Sequence, residues 1–195
     1  MTSGATPAST QPSHPPLQQP ALPKSYTLRS GYPSIPDYLR LRAVSGLSPK
    51  TAAQAAPVAS GSWYGCYVTF TGADAETDKT TTSSTSSTPT TDGTTTAAVA
   101  VRGSEETVAM GRVIGDGGWY FHIADMAVVP AHQRKGLGEA VLKHLVAHIR
   151  ANAPPRPYIT LLADEPGRRL YARNGFVETM PGSLGMMLPM EGGAD

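Results

Sequence analysis

Hydrophobic and polar positions alternate along this chain in two periods, one near 3.6 residues and one of 2, and the switches between them mark its elements. Ser34 with Pro36 two residues later opens a helix whose faces carry Ile35, Tyr38, Leu39 and Arg42, and Gly46 ends it. Ser48-Pro49 opens a second short helix running to about Ala56. Residues 62–70 and 107–115 read as strands; Gly115-Asp116-Gly117-Gly118 is a turn, and 119–129 is the next strand. Over 137–151, Leu137, Val141, Leu145 and Ile149 recur at i, i+4 spacing, with Lys143, His144 and His148 elsewhere on the helix surface. Ala153-Pro154-Pro155 stops that helix. A short apolar run at 158–163 leads into Asp164-Glu165-Pro166, a helix-start signal, and the helix 167–173 ends at Asn174-Gly175. A weak final strand is expected at 183–188. The order ααβββαβα plus a final strand predicts an α/β (mixed α+β) fold with helices flanking a sheet.

Composition changes this picture at three places. Residues 1–23 are dense in Pro, Ser, Thr and Gln and are expected to form a disordered tail; residues 72–98 are a Thr/Ser tract, read as a flexible insertion between strands. Residues 191–195 form a short C-terminal tail. That leaves 24–190 as one domain, as a chain of 195 residues suggests. The N-terminal tail has neither the basic start and apolar stretch of a secretory signal nor the arginines of a mitochondrial presequence. No apolar run reaches the roughly 18 residues that a membrane span requires. The expectation is a soluble, cytoplasmic protein, with the nucleus left open. Cys66 is the only cysteine, so no internal disulfide can form, and it reads as a small buried hydrophobe on a strand. A net charge of +1 gives no electrostatic case for nucleic acid or an anionic membrane as partner. His14 lies in the tail, His132 is expected to be exposed in a loop, and no His, Cys or carboxylate cluster has metal-site spacing.

The most informative stretch joins strand 119–129 to helix 137–151. Pro130 begins a turn, and Gln133-Arg134-Lys135-Gly136-Leu137-Gly138 then opens directly into the helix. Such a junction aims backbone N–H groups and the positive end of a helix dipole at one spot beside two cations, which suits a pyrophosphate. A Walker A loop is excluded, because Lys135 precedes its glycine and no hydroxyl follows. A dinucleotide loop is excluded too, because Gly136-Leu137-Gly138-Glu139-Ala140-Val141 lacks the third glycine.

The loop resembles the (Gln/Arg)-x-x-Gly-x-(Gly/Ala) motif of the GNAT superfamily of acyl-CoA-dependent N-acetyltransferases. Downstream, Leu170-Tyr171-Ala172-Arg173-Asn174-Gly175-Phe176 is similar to the Leu-Tyr-x-x-x-Gly-Phe signature closing the GNAT core. Two motifs in the family's order and spacing carry the resemblance over roughly residues 25 to 190. It implies a mixed, mostly antiparallel central sheet flanked by helices, with acetyl-CoA as the acyl donor and no metal. It also implies that Gln133, Arg134, Lys135, Gly136, Leu137 and Gly138 cradle the pyrophosphate, with Glu139 beside them. Backbone groups of Met126 and Val128 would bind the pantetheine and polarise the thioester carbonyl. Tyr171 would protonate the departing thiolate. Arg168 or Arg169 would reach the ribose phosphate. Where many relatives carry an asparagine that bonds the cofactor arm, this chain has Asp164, which accepts but cannot donate, so capping of the following helix is the better reading.

Acetyl transfer to an amine demands that the amine lose its proton. At pH 7 only about one alkylammonium in 2,500 is neutral, a handicap of about 4.6 kcal/mol that a general base relieves. Strand alternation puts His122, Ala124, Met126 and Val128 on one face and Phe121, Ile123, Asp125 and Ala127 on the other. His122 lies four positions before Met126, where several GNAT members place the base, and its unperturbed pKa suits the task. Asp125 is the rival: a carboxylate in an apolar strand must be paired, hydrogen-bonded or shifted upward in pKa. It could hold the substrate ammonium, act through water, or fix the fold.

The expected activity is acetyl transfer from acetyl-CoA to a small-molecule amine. Residues 35–57, 115–120 and 180–187 would shape the acceptor site, with Trp63, Tyr64, Trp119 and Tyr120 available to line an apolar pocket or to pack the sheet. A protein N-acetyltransferase and a non-catalytic acyl-CoA sensor are the alternatives. The oligomeric state is open, a homodimer being one option.

Overall fold

The computed structural model describes residues 21–72 and 105–188. Apart from residues 21–23 and 72, the expected N-terminal tail and Thr/Ser insertion lie outside the described residues, as do 191–195. The elements are β1 (Tyr26–Ser30), α1 (Ile35–Val44), α2 (Ala52–Ala55), α3 (Val58–Gly61), β2 (Tyr64–Thr71), β3 (Glu105–Gly115), β4 (Tyr120–Val128), α4 (Leu137–Asn152), β5 (Tyr158–Leu161) and α5 (Glu165–Arg173), with a 3-10 turn at Pro130–His132. The strands form one sheet in the order β1-β2-β3-β4-β5. The first three pairings are antiparallel; β4 and β5 run parallel. This is the mixed, mostly antiparallel sheet flanked by helices that the resemblance implies.

Local chemistry sets the helix ends. The Ser34 side chain accepts from the Asp37 N–H at 3.2 Å, and Pro36 occupies the first turn of α1. α2 starts later than Ser48-Pro49 suggests. Its cap is Thr51, which forms a reciprocal capping box with Gln54.

Helices cover both sheet faces. On one, α4 buries Leu137, Val141, Leu142, Leu145 and Ile149 against Cys66, Val68, Val108, Val113, Phe121 and Ile123. Each such side chain contributes roughly 1.5–3 kcal/mol on leaving water. Cys66 sits here, its thiol pushed up to about 12 by burial, an unreactive packing residue. On the other face α1 packs Tyr38 and Leu41 against Ala55, Met110 and Ala127. No helix among the described residues is long and apolar enough to cross a membrane.

Two expectations are corrected at the sheet edges. Tyr26–Ser30 is a strand, with Tyr26 opposite Phe70 and Ser30 opposite Cys66. Residues 183–188 are irregular rather than a final strand. Pro181, Gly182 and Gly185 disfavour extended pairing there, and the chain instead closes a turn in which the Ser183 N–H donates to the Thr179 carbonyl at 3.0 Å. α4 packs tightly over Gly111 of β3. A Cβ at that position would lie 2.7 Å from Val141 Cγ1 and 2.6 Å from Met126 Sδ. Gly111→Ala should therefore lower stability by about 1–3 kcal/mol in urea denaturation. Gly61→Ala, where nothing lies within 4 Å of the added Cβ, should leave the midpoint unchanged.

Candidate active site

β4 and β5 pair from Tyr120↔Tyr158 to Ile123↔Leu161 and no further, whereas β4 runs on to Val128. The two parallel strands thus part beyond Ile123, and the free length of β4 is bent. Met110 pairs with Ala127 but Arg112 pairs with Ala124, so Gly111 alone faces both Asp125 and Met126. This is a β-bulge, and Asp125 carries the strain with φ of 54°.

The bulge corrects the expected alternation. Ahead of it Phe121 and Ile123 face α4. Past it Met126 and Val128 pack on that same face, while Ala127 joins the α1 core. By alternation His122 and Ala124 look to the α1 side. Met126 and Val128 therefore do not share a face with His122. Their backbones do meet the gap. The Val129 N–H donates to Val108 O of β3 at 2.9 Å, so the N–H of Val128, and of Met126 two residues back, points the other way, to where β5 has departed.

Asp125 is locked in place. Its carboxylate accepts from the Tyr38 hydroxyl, Arg42 Nη1 and Arg112 Nε, and the side chain is only 10% exposed. Burial by itself would raise its pKa. The hydrogen bonds from Tyr38 and Arg112 and the two positive charges outweigh that and hold it below the ordinary carboxylate range. Tyr38 and Arg42 come from α1 and Arg112 from β3, so three elements converge on the bulge.

His122 faces Thr160 of β5 across the last parallel pairs, its Nδ1 3.0 Å from Thr160 Oγ1. That hydroxyl donates its only proton to the Phe121 carbonyl at 3.3 Å. The consistent assignment makes Nδ1–H the donor to Thr160 and leaves Nε2 as an acceptor. Burial, followed by the charge of Arg112, lowers the His122 pKa, so the ring is neutral at pH 7.

The glycine loop prepares the N-terminus of α4. Arg134 has φ of 61° and Gly136, at the cap position, 81°. A side chain at Gly136 meets no atom within 4 Å, so glycine is needed there for backbone conformation rather than for space. A Cβ added at Gly138 would likewise meet only ordinary contacts, 3.5 Å from Leu170 and 3.6 Å from Val128. No side chain caps α4, and its first backbone bond is Ala140 N–H to Gly136 O at 2.9 Å. The preceding N–H groups of the first turn have no intrahelical partner. Gln133 donates to Val128 O at 3.1 Å and fastens the loop to β4. Lys135 Nζ bonds Tyr26 Oη at 3.0 Å and Ala131 O at 3.2 Å. Glu139 pairs with Lys143 at 2.8 Å. His132, expected in the open, bonds Tyr26 Oη through Nδ1 at 2.9 Å with its side chain 12% exposed.

α5 brings Tyr171 beneath the loop. Leu170 lies near Gly138, and the Tyr171 ring folds back toward Gly167 and meets Phe176 edge-on at 6.1 Å. Its hydroxyl has no hydrogen-bond partner among the described residues. Burial, then the nearby Asp164 carboxylate, raises its pKa and keeps it protonated. Asp164 stands at the cap position of α5, yet its side chain caps no N–H, contrary to expectation. Arg168 and Arg169 line a cleft of about 830 Å³ with Arg150, β5 and residues 174–180, which no residue of the 133–138 loop borders. Among the described residues no group of three His, Cys, Asp or Glu is arranged to hold a metal ion. Of the four aromatics offered for an acceptor pocket, Trp63 packs on Phe121 with centroids 4.8 Å apart and Tyr64 stacks on His148 at 3.5 Å. Trp119 and Tyr120 remain exposed.

Sequence reasoning missed Arg112, Thr160 and the partnership of Arg42 and Tyr38 with Asp125. A signal existed for Arg112, a lone cation in an apolar strand next to one holding a lone carboxylate.

The family model for the acetyltransferase (GNAT) domain matches residues 94–178 of this chain. Among solved structures, a protein of unknown function from meticillin-resistant Staphylococcus aureus, named as a "Probable Acetyltransferase", is 27% identical with a TM-score of 0.63. The match covers 85% of this chain and 99% of that one. A GNAT family acetyltransferase from Streptococcus pneumoniae matches at 16% identity and TM-score 0.56 over 86% and 99% of the two chains. An acetyltransferase from Trypanosoma brucei matches at 17% and 0.51 over 85% and 99%. These last two are likenesses of fold. The curated proteins gave no match.

Asp125→Ala would strand the buried Arg42 guanidinium and the partly buried one of Arg112, and should destabilise the protein by about 3–5 kcal/mol in urea denaturation. A midpoint equal to wild type would show that the bulge stands without this carboxylate.

Proposed function

We propose that this chain, which the acetyltransferase (GNAT) domain model matches over residues 94–178, moves an acetyl group directly from acetyl-CoA to the primary amine of a small molecule. The observation that carries this reading is the uncapped N-terminus of α4 beside the point where β4 and β5 part. The residues present fit the donor. A diphosphate would take the free N–H groups of the first turn of α4, and the pantetheine arm would lie along the departing edge of β4. There the N–H groups of Met126 and Val128 are available to its carbonyls and to the thioester oxygen. Gln133 and Lys135 support the loop through Val128 O, Ala131 O and Tyr26 rather than by reaching for phosphate.

Nitrogen attacks the thioester carbon as its proton passes to His122 Nε2; the C–N bond forms and the C–S bond breaks. Tyr171 gives its phenolic proton to the departing sulfur. The neutral, oriented imidazole supports His122 as base, and the raised pKa of Tyr171 supports it as acid. Asp125 is bound to three donors with its pKa lowered, so its better role is to hold the bulge rather than to accept a proton. The protein-acetylating alternative gains no specific observation.

The test is release of free thiol from acetyl-CoA with a library of amines. A subset should turn over, and no turnover with any amine would overturn the reading. Tyr171→Phe and His122→Ala should each lower kcat by about 10²–10⁴-fold. The pH profile of kcat/KM should keep its plateau above the histidine's ordinary value of about 6.5 and fall only at lower pH, because the His122 pKa is lowered. An acid limb centred above that value would remove His122 from the base role.

A further inference from the structure

The charges around the bulge do not balance. One carboxylate, Asp125, faces two guanidinium groups, Arg42 and Arg112, while the nearby Asp37 and Glu106 are engaged by Arg40. The two arginines also differ. Arg42 is 8% exposed and fully committed: Nη1 goes to Asp125, and Nε and Nη2 go to Ser48 O at 3.1 and 2.9 Å. Arg112 is 19% exposed, gives Nε to Asp125 and Nη1 to Ser62 Oγ at 3.0 Å, and has no partner for Nη2 among the described residues. No buried side-chain nitrogen or oxygen among those residues lacks a partner, so Nη2 is an atom that solvent reaches. A surplus positive charge thus ends in one open, fixed donor.

That donor lies beside the proposed base. Arg112 stands directly opposite Ala124, and His122 is two residues back along β4 on the same sheet face. Diagonal cross-strand neighbours of this kind are about 7–8 Å apart, within reach of a long side chain. Ala124, opposite Arg112, and Ile114, opposite His122, flank the line between them. The Arg112 charge is felt at the imidazole, where it adds to burial in lowering the pKa.

We infer that the acceptor is an amine that also carries a carboxylate, which Arg112 binds while the amine faces His122. This rests on the acetyltransferase reading and narrows it. An amino carboxylate neutralises the surplus charge and satisfies Nη2 by a charge-assisted hydrogen bond. A polyamine would instead bring further positive charge against a half-buried cation, an arrangement that disfavours binding. Arg112 then sets acceptor specificity as well as holding Asp125.

The experiment measures thiol release from acetyl-CoA by the full chain with matched acceptors: an amino acid, its amide, the corresponding decarboxylated amine, an aminoalkyl phosphate and spermidine. Wild type should prefer the amino acid over its amide and over spermidine by at least about tenfold in kcat/KM, mostly through KM. Arg112→Gln should erase that preference, lowering kcat/KM for the amino acid at least about tenfold more than for its amide, and Arg112→Lys should restore part of it. The wild-type comparison stands even if Arg112→Gln folds poorly. Equal use of amino acid and amide, a preference for the phosphate or for spermidine, or an Arg112→Gln loss that falls equally on all acceptors would each overturn the inference. Turnover of neutral amines without a carboxylate preference sinks this inference alone. No turnover with any acceptor, and no heat on titration with coenzyme A, sinks the enzyme reading with it.

Discussion

A carboxylate held in a left-handed backbone conformation inside a sheet is costly unless its surroundings over-determine it, and around Asp125 they do. Tyr38 and Arg42 reach it from α1 and Arg112 from β3. The same contacts therefore stabilise the bulge and dock a helix on the sheet. Without the bulge, β4 would keep strict alternation, and Met126 would face α1 instead of filling the space against Gly111 and α4.

The bulge also divides the sheet between two tasks. Beyond it, the backbone of β4 turns its N–H groups to the gap left by β5, next to the uncapped start of α4. Before it, His122 looks to the opposite face, where its tautomer is set by Thr160. The free N–H groups and the imidazole are thus presented from two sides of one strand. The reacting carbon would sit where the two parallel strands separate.

How legible this was depended on whether the deciding interaction was local. Ser34 and Pro36 announced α1, and the i, i+4 apolar spacing from Leu137 announced the buried face of α4, because capping and amphipathicity are written within a few residues. The capping box of Thr51 and Gln54 was equally local, yet Ser48-Pro49 upstream gave a competing signal. The weak strand at 183–188 failed for a similar reason: its apolar residues suggested pairing that Pro181, Gly182 and Gly185 do not favour. β1 was overlooked because only Tyr26 in that strand is buried, which leaves little alternation to read.

The chain's own sequence determined the order of elements, the glycine-spaced entry to α4 and the placement of Tyr171 one motif later, since each rests on short-range backbone preferences. It also supplied His122 and Asp125 as chemistry-bearing residues on one strand. Which of them is free to act was decided only in three dimensions. Arg42 and Arg112 lie 83 and 13 residues from Asp125 along the chain. Their convergence on it comes from packing α1 and β3 against the same bulge. A residue's pKa, its tautomer and the face it presents follow from neighbours that folding brings near, and a one-residue bulge reverses every face beyond it.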